Sequence, residues 1–186
     1  AHESAYAEVA GTDRYRMDIE TAAAETGAEL ITVESDMTVT LMDGLVLRLL
    51  TDYRKLSGLA KADANENCIV TRLSYGAFDC LFTGDIGFPQ ERLLGGYGDL
   101  LDVEVLKVAH HGSKYSSGGE FLMQTSPLTA LISVGRNSYG HPTAEAMERL
   151  KAQNAGIYRS DLSGDITIRT DGRRYYRIST EKGDAS

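Results

Sequence analysis

The stretch VEVLKVAHHGSKYSS, residues 103–117, changes character abruptly after its seventh residue. The opening run is mostly apolar, which predicts a buried β-strand over Val103–Ala109. His110 and His111 follow at once, and three of the four histidines in the chain lie beyond residue 109. A strand that delivers two imidazoles and a glycine to its end is typical of a functional site at the edge of a sheet.

Two other strand-like runs end in a similar way. LFTGD ends on Asp85, and SVGRNSYGHP contains His141 soon after an apolar run. In layered α/β folds the ends of neighbouring strands meet at one edge, where a carboxylate and imidazoles suit a zinc-type ion. Each residue alone has an ordinary explanation, because Asp85 can begin a turn and His141 can lie in a surface loop. His110 can equally be a satisfied core histidine and His111 a solvated one. Because such residues follow three successive strands, the sequence favours one functional site that they share.

Length, composition and charge limit what the chain can be. Its 186 residues predict a single domain over 1–186, and its net charge of −8 argues against a surface that attracts nucleic acid everywhere. No apolar run of about 20 residues occurs, so we expect no membrane insertion by this segment. The N-terminus lacks the basic start and apolar core of a signal peptide, and it lacks an initiator Met, so we expect a processed or excised piece. Cys68 and Cys80 lie in apolar runs, which favours buried thiols over a disulfide framework.

Periodicity predicts a layered α/β fold, with antiparallel strands first and strands alternating with helices later. The predicted helices are Asp13–Thr26, Gln90–Leu94, Glu120–Thr125 and Thr143–Gln153. The predicted strands are Glu29–Val33, Thr38–Met42, Leu45–Leu50, Cys68–Ser74, Phe78–Thr83, Val103–Ala109, Ala130–Val134, Ile157–Arg159, Asp165–Arg169 and Tyr175–Ile178, with an irregular loop over 52–66.

The span from about Asn65 to Arg169 resembles the second half of a metallo-β-lactamase-fold domain, in the form found in competence-type (ComEC-like) DNA-uptake proteins. The blocks that show the resemblance are NENC at 65–68, FTGD at 82–85, LKVAHHGS at 106–113, ISVG at 132–135, YGHP at 139–142, YRSD at 158–161 and GDITI at 164–168. The resemblance implies the C-terminal half of an αββα sandwich. It also implies a metal-dependent hydrolase of the phosphodiesterase or nuclease kind, associated with DNA uptake.

The same resemblance implies roles for individual residues. Asp85 matches the carboxylate that bridges two metal ions, usually zinc, and His110 matches a metal-ligand histidine, with His111 as the second choice. His141 is then the predicted catalytic residue beside the substrate, where it binds phosphate or transfers a proton. Ser113 and Lys114 are the predicted substrate-binding residues, because they follow the histidines in a turn that can face a phosphate.

The leading motif of that family, His-x-His-x-Asp-His, occurs nowhere in this chain. A zinc site needs about four ligands, so we expect half a site and no activity from the chain alone. The missing N-terminal half or a second copy would complete it, and uncovered apolar surface predicts a homodimer or larger assembly. The resemblance suggests the extracytoplasmic face of a bacterial membrane, with a cytoplasmic location left open.

Two alternatives remain from the sequence. A basic, aromatic C-terminal hairpin, RRYYR at 173–177 with Arg169, together with Lys107 and Lys114, suits a non-catalytic nucleic-acid contact or assembly module. The same hairpin also fits an ordinary sheet edge with solvated arginines, which discourage pairing between edges. The second alternative is a different phosphodiesterase of the same fold, of the phosphorylcholine-esterase kind, with the same site residues.

Overall fold

The computed structural model describes residues 12–52, 68–173 and 175–183, and its largest feature is a seven-stranded β-sheet whose strands stand in chain order. The strands are β1 Met37–Met42, β2 Leu45–Leu50, β3 Val70–Tyr75, β4 Phe78–Phe82, β5 Val105–Lys107, β6 Thr129–Ile132 and β7 Gly156–Arg159. Pairing is antiparallel from β1 to β4 and parallel from β4 to β7. The predicted α/β layered class, with antiparallel strands before alternating ones, is confirmed.

One face of this sheet packs against the helices that follow β4, β5 and β6, which are among the five α-helices of the described residues. The five are α1 Thr12–Thr26, α2 Phe88–Leu94 with a 3-10 segment Gly95–Leu101, α3 Gly119–Thr125, α4 Ala144–Ala152 and the single turn α5 Ser160–Ser163. Because parallel strands need crossover connections, α2, α3 and α4 each join one parallel strand to the next. The shared core is fully buried and includes Leu81, Leu106 and Ile132 from the sheet with Leu94, Leu122 and Leu150 from the helices. Burial of each such side chain contributes about 1.5–3 kcal/mol.

A small second sheet covers part of the opposite face. It is an antiparallel hairpin of β8 Ile166–Thr170 and β9 Tyr176–Thr180. Tyr176 meets Phe78 edge to face at 5.4 Å between ring centroids, and its hydroxyl lies 2.7 Å from the Thr129 Oγ1. The tip of the hairpin accepts a hydrogen bond of 2.7 Å at the Gly172 carbonyl from the Ala77 amide. The hairpin tip is thus anchored at the start of β4, at the opposite end from Asp85.

The predicted strand over Glu29–Val33 is wrong. This segment has no regular structure, and its apolar side chains Leu30 and Ile31 are 52% and 60% exposed. An apolar run becomes a strand only where a neighbouring strand completes its hydrogen bonds, and no strand of the described residues pairs with this run. Of the predicted loop over 52–66, residues 53 onward lie outside the described residues. Within the described ranges no helix is long and apolar enough to span a membrane.

Candidate functional site

The histidines that follow β5 do not continue the strand as predicted. β5 ends at Lys107, and Ala109–Gly112 forms a 3-10 turn in which His110 and His111 have φ of +48° and +53°. The backbone of a residue with a side chain rarely adopts this left-handed region, at a cost of about 1–3 kcal/mol. The turn is held by its surroundings, since the His110 amide donates to the Gly84 carbonyl at 3.0 Å.

The turn brings His111 next to Asp85. The His111 Nε2 lies 3.7 Å from the Asp85 Oδ1, and its Nδ1 lies 2.6 Å from the Ser133 carbonyl oxygen. A carbonyl only accepts hydrogen bonds, so the proton of the neutral ring is on Nδ1. The Nε2 lone pair therefore faces a carboxylate oxygen, and two such electron-rich atoms attract a cation or share a proton. This geometry places the aspartate and the second-choice histidine of the prediction in one pocket.

Asp85 is positioned by Cys68, which the sequence analysis treated as a buried thiol and did not assign to the site. The Asp85 amide lies 3.3 Å from the Cys68 Sγ, which accepts its hydrogen bond. Gly84 precedes it with φ of +58°, and a Cβ at Gly84 would lie 2.8 Å from that sulfur. The glycine is needed here for both reasons, and the Cys68 thiol is not part of a disulfide. Cys80 is likewise not part of a disulfide and is buried, and burial together with Asp79 raises its pKa to about 12.

His141 joins the site from the loop before α4. Its ring lies edge-on to that of His110, with 5.4 Å between centroids, so His110 faces His141 while His111 faces Asp85. Asn137 fixes this loop, because its side chain accepts from the His141 amide at 3.0 Å and donates to the His141 carbonyl at 2.8 Å. An asparagine that folds back on the backbone two to four residues later is a recognisable turn signal. Partial burial, with the nearby imidazoles, lowers the pKa of His141 from its ordinary value.

The two predicted substrate-binding residues have different surroundings. Ser113 is buried at 3% exposure, and its amide donates to the His110 carbonyl at 2.9 Å within the turn. Lys114 is exposed, and its Nζ lies 5.0 Å from the centroid of the Tyr115 ring. Burial lowers the pKa of Lys107, and the Asp85 carboxylate partly opposes that shift.

A buried carboxylate and a half-buried guanidinium hold the loop that follows the histidines. Glu91 of α2 accepts hydrogen bonds from the Ser117 and Gly118 amides. Arg149 of α4 donates to the carbonyls of Lys114, Ser116 and Ser117 at 2.8–3.0 Å. Neither charge was predicted to matter, because a helical Glu or Arg is usually solvated and its loop partners lie far away in sequence.

Among the described residues the predicted metal ligands form two separate pairs and not one cluster. Nowhere in residues 12–52, 68–173 and 175–183 do three His, Cys, Asp or Glu side chains come together closely enough to hold an ion. Asp85 and His111 form a pair, and His110 with His141 forms a second pair beside it. Whether these residues bind a metal stays a prediction.

Comparison with known proteins identifies relatives. No protein-family model matches the chain. It is 34% identical to ComE operon protein 3 of Bacillus subtilis over 113 residues, which are 60% of this chain and 15% of the relative. It is 41% identical to Competence protein ComA of Neisseria gonorrhoeae over 117 residues, which are 62% of this chain and 17% of the relative. Recombination protein 2 of Haemophilus influenzae is 30% identical over 126 residues, 67% of this chain and 15% of the relative. The predicted resemblance to competence-type proteins is thus confirmed. The matched part of the chain corresponds to only about one sixth of the length of each of these relatives.

Proposed function

We propose that this chain contributes part of a metal-dependent phosphodiesterase site that acts on DNA in DNA uptake. Two independent observations support the proposal: the similarity to proteins named for competence, and the meeting of Asp85 with His111. The mixed sheet with its helical layer is consistent with the C-terminal half of a metallo-β-lactamase sandwich, which is the fold we propose for the complete domain.

The observation on which the proposal rests is the orientation of His111. Histidines that bind metals usually donate their second ring nitrogen to a carbonyl or carboxylate, which fixes the tautomer and aims the lone pair. The Ser133 carbonyl does this for His111, and the lone pair then faces Asp85. Two ligands of one tetrahedral zinc ion are about 3.4 Å apart, close to the 3.7 Å observed between Nε2 and Oδ1.

This donor set fits zinc as a partial site. A catalytic zinc takes about three protein ligands, and one aspartate with one or two histidines falls short for two ions. We therefore propose that further ligands come from residues outside the described ranges or from another chain. Bound metal lowers the pKa of water and makes hydroxide available near neutral pH.

The chain's own residues have distinct tasks in this proposal. Asp85 would hold the metal through its carboxylate and offset its positive charge, and His111, with His110 as the alternative, would supply the nitrogen ligand. His141 extends from the neighbouring loop beside His110, where its ring can contact the phosphodiester or move a proton at the leaving oxygen. Lys107 and Lys114 add positive charge near the phosphate. A second phosphodiesterase substrate class, such as phosphorylcholine esters, would use the same residues.

Zinc titration followed by NMR of the histidine rings tests the proposal without depending on turnover. We expect weak binding, since the donor set is incomplete, with shifts concentrated on the His111 ring and smaller ones on the rings of His110 and His141. Asp85→Ala should abolish the shifts of His111, because a single neutral imidazole holds zinc poorly.

A matched control is Asp171→Ala, which removes one exposed carboxylate from the hairpin tip. This variant should titrate like the parent protein. Histidine signals that do not respond to excess zinc, or that respond equally after Asp85→Ala, would show that the pocket is not a metal site.

A further inference from the structure

The outer face of the β8–β9 hairpin concentrates positive charge in an acidic chain. Between Thr167 and Ser179 the described residues include three arginines and one aspartate, whereas the whole chain has a net charge of −8; Arg174 of the predicted basic hairpin lies outside the described residues. The inner face packs on the main sheet through Ile168 and Tyr176. Since side chains alternate along a strand, the residues between them point outward.

Register places two of these arginines side by side. Arg169 and Arg177 are direct partners in the antiparallel pairing, and both are exposed. Direct partners have Cβ atoms about 4.5–5.5 Å apart, and like charges there destabilise a hairpin. No carboxylate among the described residues forms an ion pair with either guanidinium. An unpaired like-charge pair on an ordered strand pair is suited to an anionic partner.

An exposed aromatic ring adjoins the arginine pair. Tyr175 is 85% exposed and, two residues before Arg177, lies on the same outer face. Arg173 extends the face and is only loosely paired, with 3.5 Å between its Nε and the Asp171 carboxylate. A guanidinium pair next to an open tyrosine provides both phosphate contacts and a stacking surface.

We propose that this face, defined by Arg169, Arg173, Tyr175 and Arg177, binds single-stranded nucleic acid. The arginines would contact consecutive phosphates, and Tyr175 would stack on an unpaired base. Stacking favours a single strand over a duplex, because a base inside a duplex has no free face at the surface. The surface is separate from the candidate metal site, since the hairpin tip is anchored at the start of β4 and Asp85 follows its end. The inference therefore stands without the proposed phosphodiesterase.

Fluorescence anisotropy with a labelled dT12 oligonucleotide and the whole chain tests the inference. We expect salt-dependent binding, and Arg169→Ala with Arg177→Ala should weaken it by about tenfold at low salt. For a single strand the slope of log K against log salt should become shallower by about 1.4, because two phosphate contacts are lost. Arg92→Ala with Lys151→Ala removes two exposed charges from the helical layer and should leave both quantities unchanged.

An abasic dodecamer isolates the stacking contribution. Tyr175→Ala should weaken dT12 binding by about tenfold, Tyr175→Phe should not, and neither change should affect the abasic strand. Thermal melts check that every variant is folded. If the double alanine variant unfolds, Arg169→Lys with Arg177→Lys replaces it, and this variant should retain salt-dependent binding because it keeps both positive charges. Equal affinity in the arginine variant, or an equal loss in the helical-layer control, would overturn the inference. Asp85→Ala should bind dT12 normally, so failure here and failure of the zinc titration are distinguishable.

Discussion

Gly112 is the residue at which the two histidine loops touch. Its φ is +81°, and a Cβ built on it would lie 2.6 Å from the Cβ of Pro142. The Thr143 amide donates to its carbonyl at 2.9 Å, so the contact is fixed on both sides. Because Pro142 directly follows His141, the backbone contact at Gly112 sets how closely the rings of His110 and His141 approach.

We expect Gly112→Ala to destabilise the fold by about 1–3 kcal/mol, from the unfavourable φ and the clash with Pro142. Urea denaturation measures this change, and nuclear Overhauser contacts between the two histidine rings should weaken. Gly135→Ala is the matched control, because a Cβ there meets nothing within 4 Å and its φ is not positive. A Gly112→Ala protein as stable as the control would contradict this account of the loop contact.

Sequence reasoning at this scale predicted the types of residue in the pocket and missed their geometry. Asp85 lies beside His111, and His141 lies beside His110, after strand ends that the sequence indicated. The roles assigned to these residues stay predictions. The left-handed turn that separates the directions of the two adjacent histidines depends on tertiary hydrogen bonds, which periodicity does not report. The sequence also could not predict that the Ser133 carbonyl orients His111, because a residue of any type has a backbone carbonyl that can accept a hydrogen bond.

At the scale of elements, the loop between β5 and α3 is held by the helices on either side of it in the core. Glu91 comes from α2 and Arg149 from α4, and the guanidinium also lies 5.3 Å from the Phe88 ring centroid. Burial raises the pKa of Glu91, while the two amides and Arg149 oppose that shift. The loop that positions the histidines is therefore tied to two helices.

We expect Arg149→Ala to destabilise the protein by about 1–3 kcal/mol, because three loop carbonyls lose their donor and two of these contacts are partly buried. Without the guanidinium the pKa of Glu91 should rise further. A raised carboxyl pKa contributes stability below its ordinary value of about 4.5, and this contribution is lost as pH rises through the folded value. The deficit of the variant should therefore be larger at pH 7 than at pH 4.5, as measured by urea denaturation at both values.

Lys151→Ala removes an exposed charge from the same helix and should cost little at either pH. An Arg149→Ala deficit that does not depend on pH would show that Glu91 does not interact with the guanidinium in solution.

Most helices and strands were predictable because local pattern and tertiary role agree. Asp43-Gly44 and Asp171-Gly172 both form the expected turns, with positive φ at each glycine. The helix at Thr143 begins at the expected cap, whose Oγ1 accepts from the Ala146 amide at 3.3 Å. The failure at Glu29–Val33 and the shortening of β5 have one cause, which is that apolar pattern alone does not show where a partner strand ends.

At the scale of the whole molecule, the second sheet leaves part of the main sheet partly open. Val39, Leu47 and Leu49 share a face with Leu73, which packs against the hairpin layer, yet the first three are only half-buried. The charge and hairpin positions could be derived from the sequence. The sequence could not predict how much of the main sheet the β8–β9 hairpin covers, because this depends on which strands the hairpin crosses.

The partly open face of the main sheet allows the predicted self-association to be tested directly. We expect sedimentation velocity to show a concentration-dependent dimer or larger species, since partly exposed apolar surface favours pairing. Val39→Lys should shift the distribution toward monomer. Thr38→Lys makes a similar change on the opposite face of β1 and should not. A compact monomer at all concentrations would refute the prediction.

The agreement between strand order and chain order in the main sheet bears on how the protein is made. Each strand from β2 to β7 pairs with the one before it, so a chain emerging from the ribosome can extend the sheet at a single growing edge. No later strand has to insert between two that are already paired. Asp85 is in place early, whereas the Ser133 carbonyl that orients His111 arrives only with the sixth strand. During synthesis the pocket therefore remains without its oriented imidazole until most of the sheet has formed.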